Sequence, residues 1–136
     1  MKTFLEFFKG KNVLGIREKI TLSKYPDLGE ISAKVDTGNE AHNVLHGTEV
    51  KSEGEEVTFK TIGQKEITLP KLDTIVIHIG SGVKEERPVV SLDFTMKGSE
   101  YKNFPFSIAD RSENEDPVLL GEPFLKRTNS IVDSNK

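Results

Sequence analysis

Apolar and polar residues alternate along most of this chain, the pattern of half-buried β-strands. The alternating apolar positions are Ile16, Ile20 and Leu22; Ile31, Ala33 and Val35; Val57 and Phe59; Ile67 and Leu69; Ile75, Ile77 and Ile79; Val90, Leu92, Phe94 and Met96; and Phe104, Phe106 and Ile108. Glycine-containing breaks separate these runs, as at Gly54, Gly63 and Gly98. Many short strands with turns between them predict an all-β protein, either a barrel or a sandwich.

Few other elements are predicted. Pro123 stands at a first-turn position and opens a short C-terminal helix that extends to Arg127. Residues 112–117 form an acidic run that we interpret as a solvated loop. With 136 residues the chain is expected to form one domain over residues 13–136, preceded by an arm or short helix over residues 1–12.

Composition removes several function classes. The chain has no cysteine, which excludes thiol catalysis, Cys-based zinc sites and disulfides. A net charge of −3 gives no basic footprint for nucleic acid or an anionic membrane. The apolar opening of the chain is interrupted by Glu6 and Lys9, so it does not resemble a signal peptide, and no run approaches the ~20 apolar residues of a membrane helix. We expect a cytoplasmic protein without nucleic-acid or membrane partners.

Asp36-Thr37-Gly38 directly follows the apolar stretch that ends at Val35. This order predicts a carboxylate at the end of a strand, in a tight loop. Glycine permits unusual dihedrals there, and a threonine hydroxyl can bond back to the scaffold and hold the acid. An ordinary turn is the alternative for the tripeptide taken alone, because Asp and Gly are favoured turn residues.

A second motif, Val118-Leu119-Leu120-Gly121, follows some eighty residues later. Together the two resemble the active-site and core-strand motifs of retroviral-type proteases. The resemblance extends to the bacterial and phage family catalogued as ATP-dependent zinc proteases, whose members carry further short motifs in the same order. Here those motifs are Gly15-Ile16-Arg17-Glu18, Ala33-Lys34-Val35-Asp36-Thr37-Gly38, Arg87-Pro88-Val89, Asp110-Arg111, Leu119-Leu120-Gly121 and Val132-Asp133.

This resemblance implies a closed retropepsin-like barrel that acts as an aspartic endopeptidase. Two carboxylates must share a proton for such chemistry, and one Asp-Thr-Gly supplies only one of them. A twofold homodimer would bring Asp36 from each chain to the axis. Thr37 and Gly38 would then border the peptide substrate, and Leu119, Leu120, Gly121 and Arg111 would support the site. Arg17 is a second basic residue that could pair with a carboxylate there.

A cover over the site is expected at Gly80-Ser81-Gly82, between two strand runs, where two glycines allow movement. An ordinary hairpin turn is the plain alternative, and Ile62-Gly63-Gln64 is a second possible tip. The chain departs from the family pattern at Asn39 and at Glu122, where the family carries Ala and Arg. A catalytically inactive peptide-binding or assembly module on the same fold therefore remains an alternative.

Neither zinc nor ATP is predicted from the residues. His42 and His46 have an i, i+4 spacing that could hold a metal on a helix, but no H-E-x-x-H motif or third ligand accompanies them. No phosphate-binding G-x-x-x-x-G-K-[ST] motif occurs. We therefore expect no cofactor, and a zinc-dependent hydrolase is the last-ranked alternative.

Overall fold

The structure, a computed structural model, describes residues 12–38, 42–133 and 135. Most of the predicted N-terminal arm, residues 1–11, lies outside this part, as does Asn39. The described chain is mostly β, which confirms the all-β prediction. Its strands are β1 (Asn12–Leu14), β2 (Arg17–Leu22), β3 (Ile31–Val35), β4 (Val44–His46), β5 (Thr48–Glu53), β6 (Glu56–Lys60), β7 (Glu66–Pro70), β8 (Asp73–His78), β9 (Lys84–Met96), β10 (Ser99–Ala109), β11 (Val118–Leu120) and β12 (Ser130–Val132). Helix α1 spans Glu122–Arg127, close to the predicted range.

Seven strands form the main sheet, in the order β10-β4-β11-β3-β2-β9-β8, and β9 also pairs with β10. Strand β11 is parallel to β3 and antiparallel to β4, although β3 and β4 are close in sequence and β11 comes much later. Strands β5, β6 and β7 form a separate antiparallel meander, and β1 pairs in parallel with β12. The predicted motif strands, β3 and β11, are therefore direct neighbours.

The core is built from the alternating positions that the sequence indicated. Ile20, Leu22, Val90, Leu92 and Met96 are buried in the main cluster. Four aromatic rings pack around Phe94, at centroid separations of 5.3 Å for Tyr101, 5.8 Å for Phe104 and Phe106, and 5.6 Å for Phe124. Because Phe124 belongs to α1, this contact fixes the helix against the sheet.

Three sequence-based predictions need correction. Ile16 is 41% exposed, because β2 begins one residue later. Ile79 is also exposed, since it lies at the tip of a hairpin that projects from the core. The acidic run 112–117 is not wholly solvated, because Asp116 is buried. Strands β4 and β5 were not predicted, since neither shows a long alternating pattern.

Within the described residues, no helix has the length and apolar character needed to cross a lipid bilayer.

Candidate functional site

Asp36 lies immediately after β3, in the tight loop that its sequence context predicted. Its amide donates a hydrogen bond to the Leu120 carbonyl oxygen at 2.9 Å, which ties it to the end of β11. The amide of Gly38 donates to Asp36 Oδ1 at 2.8 Å. A Cβ at Gly38 would lie 3.2 Å from that same oxygen, so glycine suits the position. Asp36 is half-buried, with its backbone held by Leu120 and its carboxylate by Gly38.

The other two loop residues are exposed. The Thr37 hydroxyl, expected to bond back to the scaffold, makes no hydrogen bond to any described residue. Instead Thr37 lines a separate groove of about 400 Å³ with Glu122, Leu125 and Ser130. Glu122 is itself paired with Lys126 at 3.0 Å on the same helix. Glu122, one of the two departures from the pattern of the resembled family, thus lies next to the Asp36 loop.

A cleft of about 330 Å³ opens over the Asp36 side chain, and we call it the Asp36 cleft. It is lined by Lys34, Asp36, Val44, Arg87, Ala109, Asp110, Arg111, Asn114 and Leu119. Its floor is a small apolar cluster of Val44, Ala109 and Leu119, separate from the main core. Three of the lining residues are basic and two are acidic, so the cleft combines two carboxylates with three cations.

Two hydrogen bonds hold Arg111 in the lining of this cleft. Its amide donates to His46 Nδ1 at 2.9 Å, and its Nε donates to the Asp116 carbonyl oxygen at 2.9 Å. Burial lowers the pKa of Arg111, and attraction to Asp116 and Asp36 opposes that effect. Arg111 thus lies within electrostatic range of Asp36, as the prediction that it supports the site requires.

Asp116, which holds Arg111, is itself held by side chains of β2 and β3. Its side chain is 4% exposed and accepts from Arg17 Nε at 3.0 Å and from the Ser32 hydroxyl at 2.5 Å. Arg17 also contacts the exposed Glu115 at 2.9 Å. Arg17, expected to pair with a carboxylate at the site, therefore pairs with two acids of the 112–117 loop.

Asn43 joins the strands on the other side of Asp36. This buried side chain donates from Nδ2 to the Pro105 carbonyl oxygen at 3.1 Å and accepts from the Gly121 amide at 2.9 Å. Its own carbonyl oxygen accepts from the Ser107 amide at 2.9 Å. Gly121 follows Leu120, which holds the Asp36 amide, so Asn43 fixes the frame around the acid.

The predicted cover is a hairpin between β8 and β9. The Ile79 amide donates to the Val83 carbonyl oxygen at 2.8 Å, and Gly80, Ser81 and Gly82 form its turn with positive φ. The tip does not line the Asp36 cleft. Arg87, farther down β9, does so, and it pairs with Glu85 at 2.7 Å. The other proposed tip, Ile62–Gln64, is a 3₁₀ turn that joins β6 to β7.

The two histidines of the zinc alternative lie outside any helix. His46 belongs to β4 and accepts the Arg111 amide, and His42 precedes that strand. Burial, with a smaller effect of Arg87, lowers the pKa of His42. No group of three or more potential metal ligands occurs among the described residues.

Asn43, His46 and Asp116 are the site residues that sequence reasoning missed or misjudged. Asp116 stands beside Pro117 and just before the core strand, a position that could have distinguished it from its acidic neighbours. For Asn43, nothing in the pattern indicated that its amide would link three separate segments.

Protein Lpg0085 from Legionella pneumophila subsp. pneumophila str. Philadelphia 1, whose crystal structure is described as that of a protein with unknown function (DUF785), has a similar fold. The two structures superpose with a TM-score of 0.72 over 92% of this chain and 95% of that chain, with 23% sequence identity. At this identity the likeness concerns the fold alone. No protein-family model matches this chain, and no curated protein matches it significantly.

Proposed function

We propose that this protein is an aspartic endopeptidase that acts as a homodimer, with Asp36 of each chain in the catalytic pair. The observation that carries the proposal is the setting of Asp36 at a strand end beside an open cleft. This residue is half-buried, its carboxylate is held by the Gly38 amide, and its backbone is held by Leu120. Such fixation keeps the geometry that proton transfer demands.

The pairing of the strands supports the retropepsin-like barrel. From β9 the ladders pass through β10, β4, β11, β3 and β2, and then return to β9. A circuit of this kind leaves none of its member strands with an unpaired edge along its full length. The two motifs that carry the resemblance meet within this circuit, where β3 lies beside β11.

In the proposed reaction, one carboxylate of the pair accepts a proton from water while the protonated one donates to the peptide carbonyl oxygen. A single chain contributes one Asp36, so a second copy must supply the other. The groove lined by Thr37 and Glu122 adjoins the Asp36 loop, which makes it the natural place for the partner to approach. The β8–β9 hairpin would cover an extended peptide and exclude water.

The direct test is hydrolysis of a mixed peptide library by the wild-type protein and by Asp36→Asn. Asn is nearly isosteric but can neither share the proton nor activate water, so activity should be lost while the fold is kept. Asp27→Asn, a remote surface change that removes an ion pair with Lys65, is the control and should retain activity. Activity should be highest below neutral pH, where the pair holds one proton, and chelators or removal of ATP should not change it. Full activity in Asp36→Asn would exclude the proposal.

A second function is a peptide-binding module without catalysis. The observation in its favour is the cation content of the Asp36 cleft, where Lys34, Arg87 and Arg111 accompany the acid. Cations stabilise an ionised carboxylate, whereas the catalytic pair needs one protonated member. The same library distinguishes the two functions, because a binding module would retain peptides without cleaving them.

A further inference from the structure

A second pocket lies on the same face of the main sheet as Asp36. Residues directly opposite each other in a ladder share a face. Along β10, Ala109 borders the Asp36 cleft and Ser107 borders the second pocket, two residues away on the same side. Ser107 is opposite Val89 on β9, and Val89 is opposite Asp73 on β8. An extended chain over Asp36 would therefore reach this pocket along the same face of the sheet.

The walls of this second pocket are apolar, and we call it the hairpin pocket. They are formed by Ile75, Val89, Pro105 and Pro123. Its volume is about 200 Å³. That is below the roughly 300–1,000 Å³ of pockets that enclose a whole drug-sized ligand, so it suits one side chain.

Two polar residues of the lining are already occupied. Asn43 uses its amide group on Pro105 and Gly121, as described above, and the Ser107 hydroxyl points to the Asn43 carbonyl oxygen at 3.4 Å. His42 and Asp73 are the other polar residues of the lining. Asp73 is exposed at the start of β8, and its Oδ1 accepts from the Thr74 amide at 2.8 Å, which fixes the carboxylate.

The charge balance around the hairpin pocket favours a cation. Because the pKa of His42 is lowered, the imidazole is neutral near pH 7 and does not repel a positive group. The nearby cation, Arg87, is compensated by Glu85 on the same face. The negative charge of Asp73 is therefore uncompensated at the mouth of the hairpin pocket.

We propose that the hairpin pocket is a specificity subsite for a lysine or arginine side chain of the peptide substrate. The aliphatic stem packs between the four apolar walls, and the cationic end pairs with Asp73. Long basic side chains combine these two properties, since their stems bury while their charged ends stay at the water boundary. This inference rests on the proposed peptidase function, because it assigns a subsite to the same substrate.

The test measures binding to the Asp36→Asn variant, which needs no catalysis. The probes are three blocked octapeptides of alanine that carry one lysine, norleucine or glutamate near the centre. Their binding is measured in NMR titrations from the shifts of the Ile75 methyl resonances. Norleucine keeps the stem and lacks the charge. Lysine should bind about fivefold more tightly than norleucine, the most that one exposed ion pair provides, and glutamate should bind least.

Adding Asp73→Asn should reduce lysine to the norleucine affinity, because Asn keeps the Thr74 hydrogen bond and removes only the charge. Glu86→Gln is the matched control on the outer face of the hairpin, and it should leave the preference unchanged. Equal binding of lysine and norleucine, a preference that survives Asp73→Asn, or Ile75 methyls that do not move would overturn the subsite. If the preference is found but the wild-type protein cleaves none of the peptides, the subsite stands and the peptidase function fails.

Discussion

At the scale of single residues, the buried carboxylate of Asp116 determines how the site is held. It accepts hydrogen bonds from Arg17 and Ser32, while the backbone carbonyl oxygen of the same residue holds Arg111 near Asp36. A buried charge is tolerated only when it is paired and hydrogen-bonded, and Asp116 meets both conditions. Its neighbour Glu115 pairs with the same arginine but is exposed, so the two acids form a natural comparison.

Replacing Asp116 by Ala should lower the free energy of unfolding by about 2–3 kcal/mol, because Arg17 and Ser32 lose a buried, charged acceptor. Glu115→Gln should cost less than about 1 kcal/mol, as is usual for an exposed ion pair. Urea unfolding of the two variants gives both values. Equal costs would show that Asp116 is not the anchor described here.

His42 gives a pH dependence of stability. Its pKa is lowered in the folded protein, so the unfolded chain binds a proton there at a pH at which the folded chain does not. Stability contributed by the neutral imidazole is therefore present above the unfolded pKa of about 6.5 and is lost as the pH falls through and below it. His42→Gln should reduce the drop in melting temperature between about pH 7 and pH 5, which thermal unfolding at the two pH values measures. An identical drop in wild type and His42→Gln would contradict this assignment.

At the scale of elements, one side chain reinforces the backbone ladders that place β11 between β3 and β4. Asn43 accepts the Gly121 amide after β11 and donates to the Pro105 carbonyl oxygen of β10. Buried amides of this kind are costly to leave unpaired. The site geometry thus depends on a residue outside every regular strand.

Asn43→Ala should therefore lower the free energy of unfolding by about 1–3 kcal/mol, through the unpaired Gly121 amide, and should also reduce any peptidase activity. Ser107→Ala removes only the weak 3.4 Å contact to the Asn43 carbonyl oxygen and should cost less than about 1 kcal/mol. Chemical denaturation, with hydrolysis of the peptide library alongside, measures both effects. A neutral Asn43→Ala would remove this residue from the frame.

At the scale of the whole molecule, period-2 alternation was enough to predict the β class and most of the core, because one face of each such strand is buried. The same rule failed for Ile79, since the β8–β9 hairpin extends beyond the core that would cover it. Asp36 and β11 were identified because each belongs to a short contiguous motif that can be recognised in the sequence alone. Asn43 and Asp116 were not, because their roles depend on contacts with residues more than sixty positions away.

The central claim also concerns the whole molecule: two copies of Asp36, one from each chain, form one catalytic pair. The measurement that tests it most directly is the peptidase activity of wild-type protein equilibrated with Asp36→Asn at constant total concentration. Mixed dimers hold one intact acid, so activity should follow the square of the wild-type fraction and fall to about one quarter in an equal mixture. A linear decline to about one half would contradict the account, because each chain would then act alone.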